Sequence, residues 1–213
     1  MSLYPKLQSY IEHLQPAVAS IPDSRKETLK RVSEYIRKKL DSGEAAKLNF
    51  ICTHNSRRSH LAQIWTSVAA YHLGIDNIDT FSGGTEATAL NPRAVAALER
   101  AGFQIETAGD GGLNPEYRIR FDVSEEPLIC FSKTFDHRMN PEREFAAIMT
   151  CSDADENCPF VPGAEFRLPV TYRDPKESDG TDEEADVYDE RCRQIAAEMF
   201  FMMREVNTFA RKS

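Results

Sequence analysis

The sequence predicts an α/β protein whose strands form a mostly parallel sheet. Two observations carry the prediction. The first is a short apolar run, residues 48–52, that breaks into a tight polar loop and then into an amphipathic stretch from His60 to about Leu73. The second is that the alternation recurs. Residues 75–81 lead through Ser82-Gly83-Gly84-Thr85 to a helical pattern opened by Asn91-Pro92, and the apolar runs 145–149 and 166–170 lead into polar and helical segments. Strands alternating with helices over short links read as βα units, which set neighbouring strands parallel.

The composition bounds the partners. With 213 residues the chain can bury the core of one domain and still carry an appendage, and 41% apolar with 28% charged residues is ordinary for a globular protein. A net charge of −8 argues against nucleic acid or an anionic membrane as the main partner. No basic leader precedes an apolar core at the N-terminus, and no apolar run approaches the roughly 18 residues of a membrane span. A cytoplasmic location is expected. The five cysteines are then reduced at rest, and any disulfide is transient and catalytic.

Taken in order, residues 1–46 read as two helices forming a hairpin. Tyr4, Leu7, Ile11 and Leu14 recur at spacings of three and four, and Leu29, Val32, Ile36 and Leu40 repeat the pattern. Ser24 to Glu27 matches a capping box after Pro22, and Gly43 is a stop. The hairpin packs on the core or on a second subunit, so a homodimer through these helices is one expectation. The helix after residues 47–52 buries Leu61, Ile64, Trp65 and Val68, and the helix opened by Asn91-Pro92 buries Val95 and Leu98 before Gly102 ends it. Residues 104–143 contain a glycine-rich turn at Gly109, Asp110, Gly111 and Gly112, then an alternation through Tyr117, Ile119 and Phe121, then Leu128 and Cys130. Two strands in a hairpin fit this pattern, with Cys130 packed inside it. Tyr188, Cys192, Ile195, Met199, Met202 and Val206 make the apolar stripe of a long last helix that follows an acidic stretch.

The chemistry centres on Cys52-Thr53-His54-Asn55-Ser56-Arg57-Arg58-Ser59. A loop entering a helix N-terminus aims backbone N–H groups at one point, and the helix dipole adds positive potential there. A cysteine at such a place falls from a pKa of about 8.5 to roughly 3.5–7.5. The planar fork of Arg58 can take two oxygens of a tetrahedral dianion. Ser59 can donate to the thiolate. For Cys-x5-Arg taken alone, a buried cysteine ending a core strand, with two arginines on a solvated turn, is the better account. The preceding strand and the following helix favour a nucleophile in an anion cradle formed by Thr53, His54, Asn55, Ser56, Arg57 and Arg58.

Cys151 and Cys158 admit three readings. A zinc pair lacks the tighter spacing and the further ligands. A calcium loop through Asp153, Asp155 and Asn157 lacks its glycine and its closing glutamate, since Cys158 and Ala164 stand there. A redox pair needs only two thiols within reach of each other. No metal and no cofactor are expected.

The loop Cys52–Ser59 resembles the phosphate-binding loop of low-molecular-weight protein tyrosine phosphatases and of the thioredoxin-coupled arsenate reductases. The segment Thr150-Cys151-Ser152-Asp153-Ala154-Asp155-Glu156-Asn157-Cys158-Pro159 is similar to the redox segment of those reductases alone. Ser82-Gly83-Gly84 with Asn91-Pro92, and Asp174-Pro175 in a late loop, also follow the family order. The resemblance covers residues 47–210 apart from most of 104–143. It implies a three-layer fold with a four-stranded sheet in residues 47–213, interrupted by the insertion 104–143 and preceded by the extension 1–46.

It also implies roles: Cys52 as nucleophile, Arg58 as oxyanion binder, Ser59 as thiolate donor, Asp174 as general acid, and Asn55 with Ser82 as supports of the loop. Cys151 and Cys158 would regenerate Cys52 through successive disulfides reduced by thioredoxin. His54 departs from the family, which has a small residue there; its side chain must point outward, or the loop is shaped differently. His54, His60 and His137 are alternative acids. The functions implied are arsenate reduction, or hydrolysis of phosphotyrosine or another small phosphoester. A non-catalytic module sensing an oxyanion or redox state is the reading of another class.

Overall fold

The computed structural model describes residues 2–108, 112–158 and 160–210. Its centre is a four-stranded parallel sheet built from β1 (Ala46–Cys52), β2 (Ile78–Gly84), β6 (Phe145–Met149) and β7 (Ala164–Pro169), in the order β2-β1-β6-β7. β1 is buried along nearly its whole length, as a central parallel strand covered on both faces must be. Successive side chains feed two cores. Leu48, Phe50, Ala146 and Ile148 join the large cluster, whereas Ile51, Phe145, Ala147 and Met149 join a smaller one with Cys52, Cys151 and Ala154.

Helices α4 (Arg58–Leu73), α5 (Pro92–Ala101) and α7 (Glu184–Ala210) pack together on the large-cluster side. The short helix α6 (Ser152–Asn157) packs against β1 and β6 on the other side. Layers of helix, sheet and helix are the expected architecture. Trp65 of α4 is the hub of the large core. It stacks on Tyr10 at 5.4 Å, meets Phe103 and Phe200 edge-on, and its indole N–H donates to Cys192 Sγ at 3.2 Å. Among the described residues no helix is long and apolar enough to cross a membrane.

The N-terminal region differs in detail from the expected hairpin. It forms three helices, α1 (Pro5–Glu12), α2 (Gln15–Ala19) and α3 (Asp23–Asp41). The capping box is not used. Pro22, at φ −59° and ψ 146°, is the N-cap of α3 two residues before Ser24, so Ser24 lies within the first turn beside Asp23, whose charge complements the helix dipole. The inner faces of α1 and α3 are spent on the chain's own core: Leu7, Ile11, Leu14, Leu29, Val32 and Ile36 are all buried there. Gly102 shows how close the packing is. Its φ is +113°, and a Cβ would fall 2.5 Å from the backbone nitrogen of Leu7.

The second strand begins at Ile78 rather than at Ile75, because Asn77 at φ 59° still belongs to a turn. Residues 104–143 form three strands rather than two. β3 (Gln104–Ala108), β4 (Glu116–Arg120) and β5 (Leu128–Cys130) make an antiparallel sheet. β3 is largely exposed and lacks the apolar alternation that would announce it. Cys130 is fully buried. Gly109, Asp110 and Gly111 lie outside the described residues.

Candidate active site

Cys52 ends β1 at the point where the chain order across the sheet reverses, with β2 on one side and β6 on the other. Crevices at the carboxyl ends of parallel strands at such a point are where α/β proteins bind ligands. The loop from Cys52 to Arg58 is held from outside by its carbonyls. The Cys52 carbonyl accepts from Thr85 N at 3.1 Å, Thr53 from Glu86 N at 2.8 Å, His54 from Ser132 Oγ at 2.9 Å, and Ser56 from Asn91 N at 2.8 Å. A planar trans peptide points its N–H opposite to its C=O. Carbonyls turned outward therefore turn the amides of Thr53, His54, Asn55 and Arg57 toward the inside of the loop, which makes an anion cradle. Asn55 closes the turn at φ 44°, a left-handed conformation that asparagine tolerates. Gly84 lies directly beneath, where a Cβ would sit 2.6 Å from the Thr53 carbonyl and 2.7 Å from Asn55 N.

A chain of hydrogen bonds fixes the polarity of the surroundings of Cys52. The Lys133 backbone N–H can only donate, and it does so to Asn55 Oδ1 at 2.9 Å. The Asn55 amide N must then face Ser59, donating to its Oγ at 2.9 Å. Ser59 Oγ already accepts there, so its own proton is free for Cys52 Sγ, 3.1 Å away. Ser82 does not touch the loop directly. Its hydroxyl meets Nδ1 of the fully buried His60 at 3.2 Å, and its carbonyl accepts from Asn140. Burial and the nearby Lys133 push the His60 pKa down to about 3, so it is a neutral prop under the helix start.

Arg58 is buried and anchored at both terminal nitrogens. Nη1 donates to the Tyr172 carbonyl at 3.0 Å and Nη2 to Asp174 Oδ2 at 2.6 Å, while Nε is buried with no hydrogen-bond partner among the described residues. The late Asp-Pro loop thus lies against the arginine of the early loop, as the family order implies. Asp174 also caps the 3-10 turn Pro175–Ser178 by accepting from Lys176 N. Arg57 Nε donates to Tyr188 OH at 2.8 Å, and its Nη2 lies 3.5 Å from Asp179. The same Nε lies 3.9 Å from Asp174 Oδ1, so Arg57 and Arg58 both flank that carboxylate. His54 points outward, its Nε2 3.8 Å from exposed Glu86, which is how a bulky side chain fits at that position. His137 is half-buried, edge-on to Phe131.

Cys151 is fully buried in the same small cluster as Cys52, with the Thr53 hydroxyl 3.4 Å from its sulfur. It also caps α6, accepting from Ala154 N at 3.4 Å. Cys158 closes the other end of that helix and is partly exposed. All five cysteines are free thiols. Burial pushes Cys130 and Cys192 up to about 12, which makes them poor nucleophiles. Among the described residues no group of three His, Cys, Asp or Glu side chains converges to hold a metal ion.

Several supports were not legible in the sequence. Ser132 and Lys133 come from the insertion, and Tyr188 and Asp179 from the region of the last helix; none has a fixed spacing from Cys52 that would mark it.

The model of the family "Low molecular weight phosphotyrosine protein phosphatase" matches residues 47–123. The arsenate reductase of Bacillus licheniformis is 31% identical over 149 residues, 70% of this chain and 88% of that protein. The arsenate reductase of Bacillus subtilis is 28% identical over 144 residues, 68% of this chain and 84% of that protein. Among solved structures, a low molecular weight phosphotyrosine phosphatase from Vibrio cholerae superposes with a TM-score of 0.50 at 12% identity, covering 79% of this chain and 99% of that one, a likeness of fold alone. The phosphate-type loop on this sheet and the extent of the match with the Bacillus enzymes lead to one conclusion: the chain belongs to the enzyme family of the low molecular weight phosphotyrosine phosphatases and arsenate reductases.

Proposed function

We propose that the protein reduces arsenate to arsenite through a relay of Cys52, Cys151 and Cys158. The Cys52 thiolate attacks arsenate held by the loop amides and by Arg58. An As–O bond breaks, and Asp174 delivers the proton that lets the oxygen leave as water. The Cys151 thiolate then attacks Cys52 Sγ. The S–As bond breaks with its electron pair staying on arsenic, so arsenite departs and a Cys52–Cys151 disulfide remains. Cys158 attacks Cys151, returns Cys52 as thiolate and leaves a Cys151–Cys158 disulfide, which a dithiol protein such as thioredoxin reduces. The two electrons that arsenic gains are thus those of two thiolates.

The observation that carries this reading is the position of Cys151. It is buried in one cluster with Cys52, touches the residue after the nucleophile, and is separated from Cys158 only by a six-residue helix. The names of the Bacillus relatives agree with it. Cys158→Ser is the test. Multiple-turnover arsenate reduction with thioredoxin is expected to stop, while hydrolysis of an aryl phosphate continues. Persistent arsenate turnover in that variant rules the relay out.

A phosphatase reading needs only Cys52 and the contact of Asp174 with Arg58 at 2.6 Å, without Cys151 or Cys158. There the substrate is a phosphotyrosine or a small phosphoester, and the intermediate is a phosphocysteine on Cys52. Wild-type protein that cleaves phosphotyrosine but does not oxidise thioredoxin in the presence of arsenate decides for it.

A further inference from the structure

The Arg58–Asp174 pair is held from behind by a buried polar cluster that reaches the N-terminal helices. Arg25, in the first turn of α3, donates from Nε to Glu198 Oε2 of α7 at 2.9 Å and from Nη2 to the Thr171 carbonyl at 3.1 Å. Its guanidinium lies 4.8 Å from the centre of the Tyr172 ring. The Tyr172 hydroxyl donates to the same Glu198 oxygen at 2.8 Å. Burial and the Glu198 charge raise the Tyr172 pKa, so the hydroxyl keeps its proton and remains a donor. Glu198 and Tyr172 are 3% and 5% exposed, so these are desolvated, charge-assisted bonds rather than a surface ion pair. The Tyr172 carbonyl then holds Arg58 Nη1, and two residues on Asp174 holds Nη2.

We infer that Arg25, acting with Glu198 and Tyr172, is a positioning residue for the reaction: it sets the Thr171–Asp174 segment so that Arg58 and the acid of Asp174 meet the substrate in register. The inference rests on the roles proposed for Cys52, Arg58 and Asp174 and is independent of the cysteine relay. It gives the N-terminal helices a part in the active site. None of their residues touches substrate; Arg25 acts only through the loop it clamps.

The test is hydrolysis of aryl phosphates with different leaving groups. Phosphoryl transfer to Cys52 breaks the P–O bond, and the departing phenolate needs the Asp174 proton when it is basic (phenyl phosphate) and scarcely when it is not (2,4-dinitrophenyl phosphate). Asp174→Asn sets the reference: kcat on phenyl phosphate is expected to fall on the order of 10²-fold, with much less change for the dinitrophenyl ester. Arg25→Ala leaves Glu198 buried without its cation, so the double variant Arg25→Met, Glu198→Gln, which removes both charges, is measured beside it, with Arg25→Lys as partial rescue. The expected result is a loss of roughly tenfold on phenyl phosphate and a smaller one on the dinitrophenyl ester, in protein whose circular dichroism is native. Equal losses on both esters, or none, in the Arg25 variants while Asp174→Asn discriminates would overturn the positioning role. A flat response in Asp174→Asn itself overturns the acid assignment, and the positioning role with it.

Discussion

At the scale of single residues, the proposed chemistry of Cys52 turns on the direction of one proton. The Lys133 N–H orients the Asn55 amide, the amide occupies the Ser59 oxygen, and the Ser59 proton is left for sulfur. Asn55→Asp keeps the acceptor for Lys133 and tolerates the positive φ, but it puts a second acceptor against Ser59. The hydroxyl then donates to the introduced carboxylate instead of Cys52. Losing a hydrogen bond to a charged group costs about 1.5–3 kcal/mol, so alkylation of Cys52 by iodoacetamide at neutral pH is expected to slow by about tenfold or more. An unchanged rate would mean that Ser59 does not steady the thiolate. His60 gives a second test. Its folded-state pKa of about 3 lies below the unfolded value, so its contribution is complete above about pH 6.5 and is lost as pH falls toward 3. At pH 5 the wild type is expected to have lost about 2 kcal/mol more, relative to pH 7, than His60→Gln, at up to about 1.4 kcal/mol per pH unit, read from urea unfolding. Equal acid sensitivity in the two proteins would show that the imidazole is not shielded as its burial requires.

At the scale of elements, α6 is the piece that must change if the relay operates. Cys158 follows Cys151 by seven positions, which along a helix is about 10 Å. A disulfide needs Cα atoms about 5.5–6 Å apart. The helix and the second disulfide therefore exclude each other. α6 has only six residues and is too short to persist on its own. Arg167 of β7 holds its end: Nη2 donates to the Asp155 carbonyl at 2.7 Å and to the Cys158 carbonyl at 3.1 Å. Arg167→Ala is expected to weaken this hold by about 1–3 kcal/mol. Faster hydrogen exchange over residues 152–158 and faster alkylation of Cys158 would register it, and unchanged exchange would show that Arg167 does not latch the helix. The two cysteines and the polar segment between them were legible in the sequence because the pattern is local. Arg167 was not, because it reaches α6 from a neighbouring strand. The third strand of the insertion was hidden for another reason: β3 is nearly all exposed and has no buried face to leave a period of two.

At the scale of the whole molecule, the same distinction separates what the sequence reveals from what it conceals. Cys52, Asn55, Arg58 and Ser59 fall within eight residues, so strand, loop and helix could be read together with their chemistry. Lys133 is 78 residues from Asn55 and Arg25 is 173 residues from Glu198, and such pairs carry no spacing to recognise. The N-terminal helices could be seen as amphipathic, but the surface that receives them could not. In the structure it is the core itself, shared with α7 and Trp65, so a dimer through these helices would have to use their outer faces. Removing residues 1–44 would strip away Leu7, Ile11, Leu14, Leu29, Val32 and Ile36, each no more than 2% exposed. At about 1.5–3 kcal/mol for each side chain the loss is roughly 10 kcal/mol or more, comparable with the roughly 5–15 kcal/mol that holds a typical domain folded. The truncated chain is expected to bind a hydrophobic dye and to show no cooperative melting transition. A truncated chain that melts cooperatively near the wild-type temperature would mean that residues 45–213 close their own core, and that the helices serve the Thr171–Asp174 loop without holding the fold.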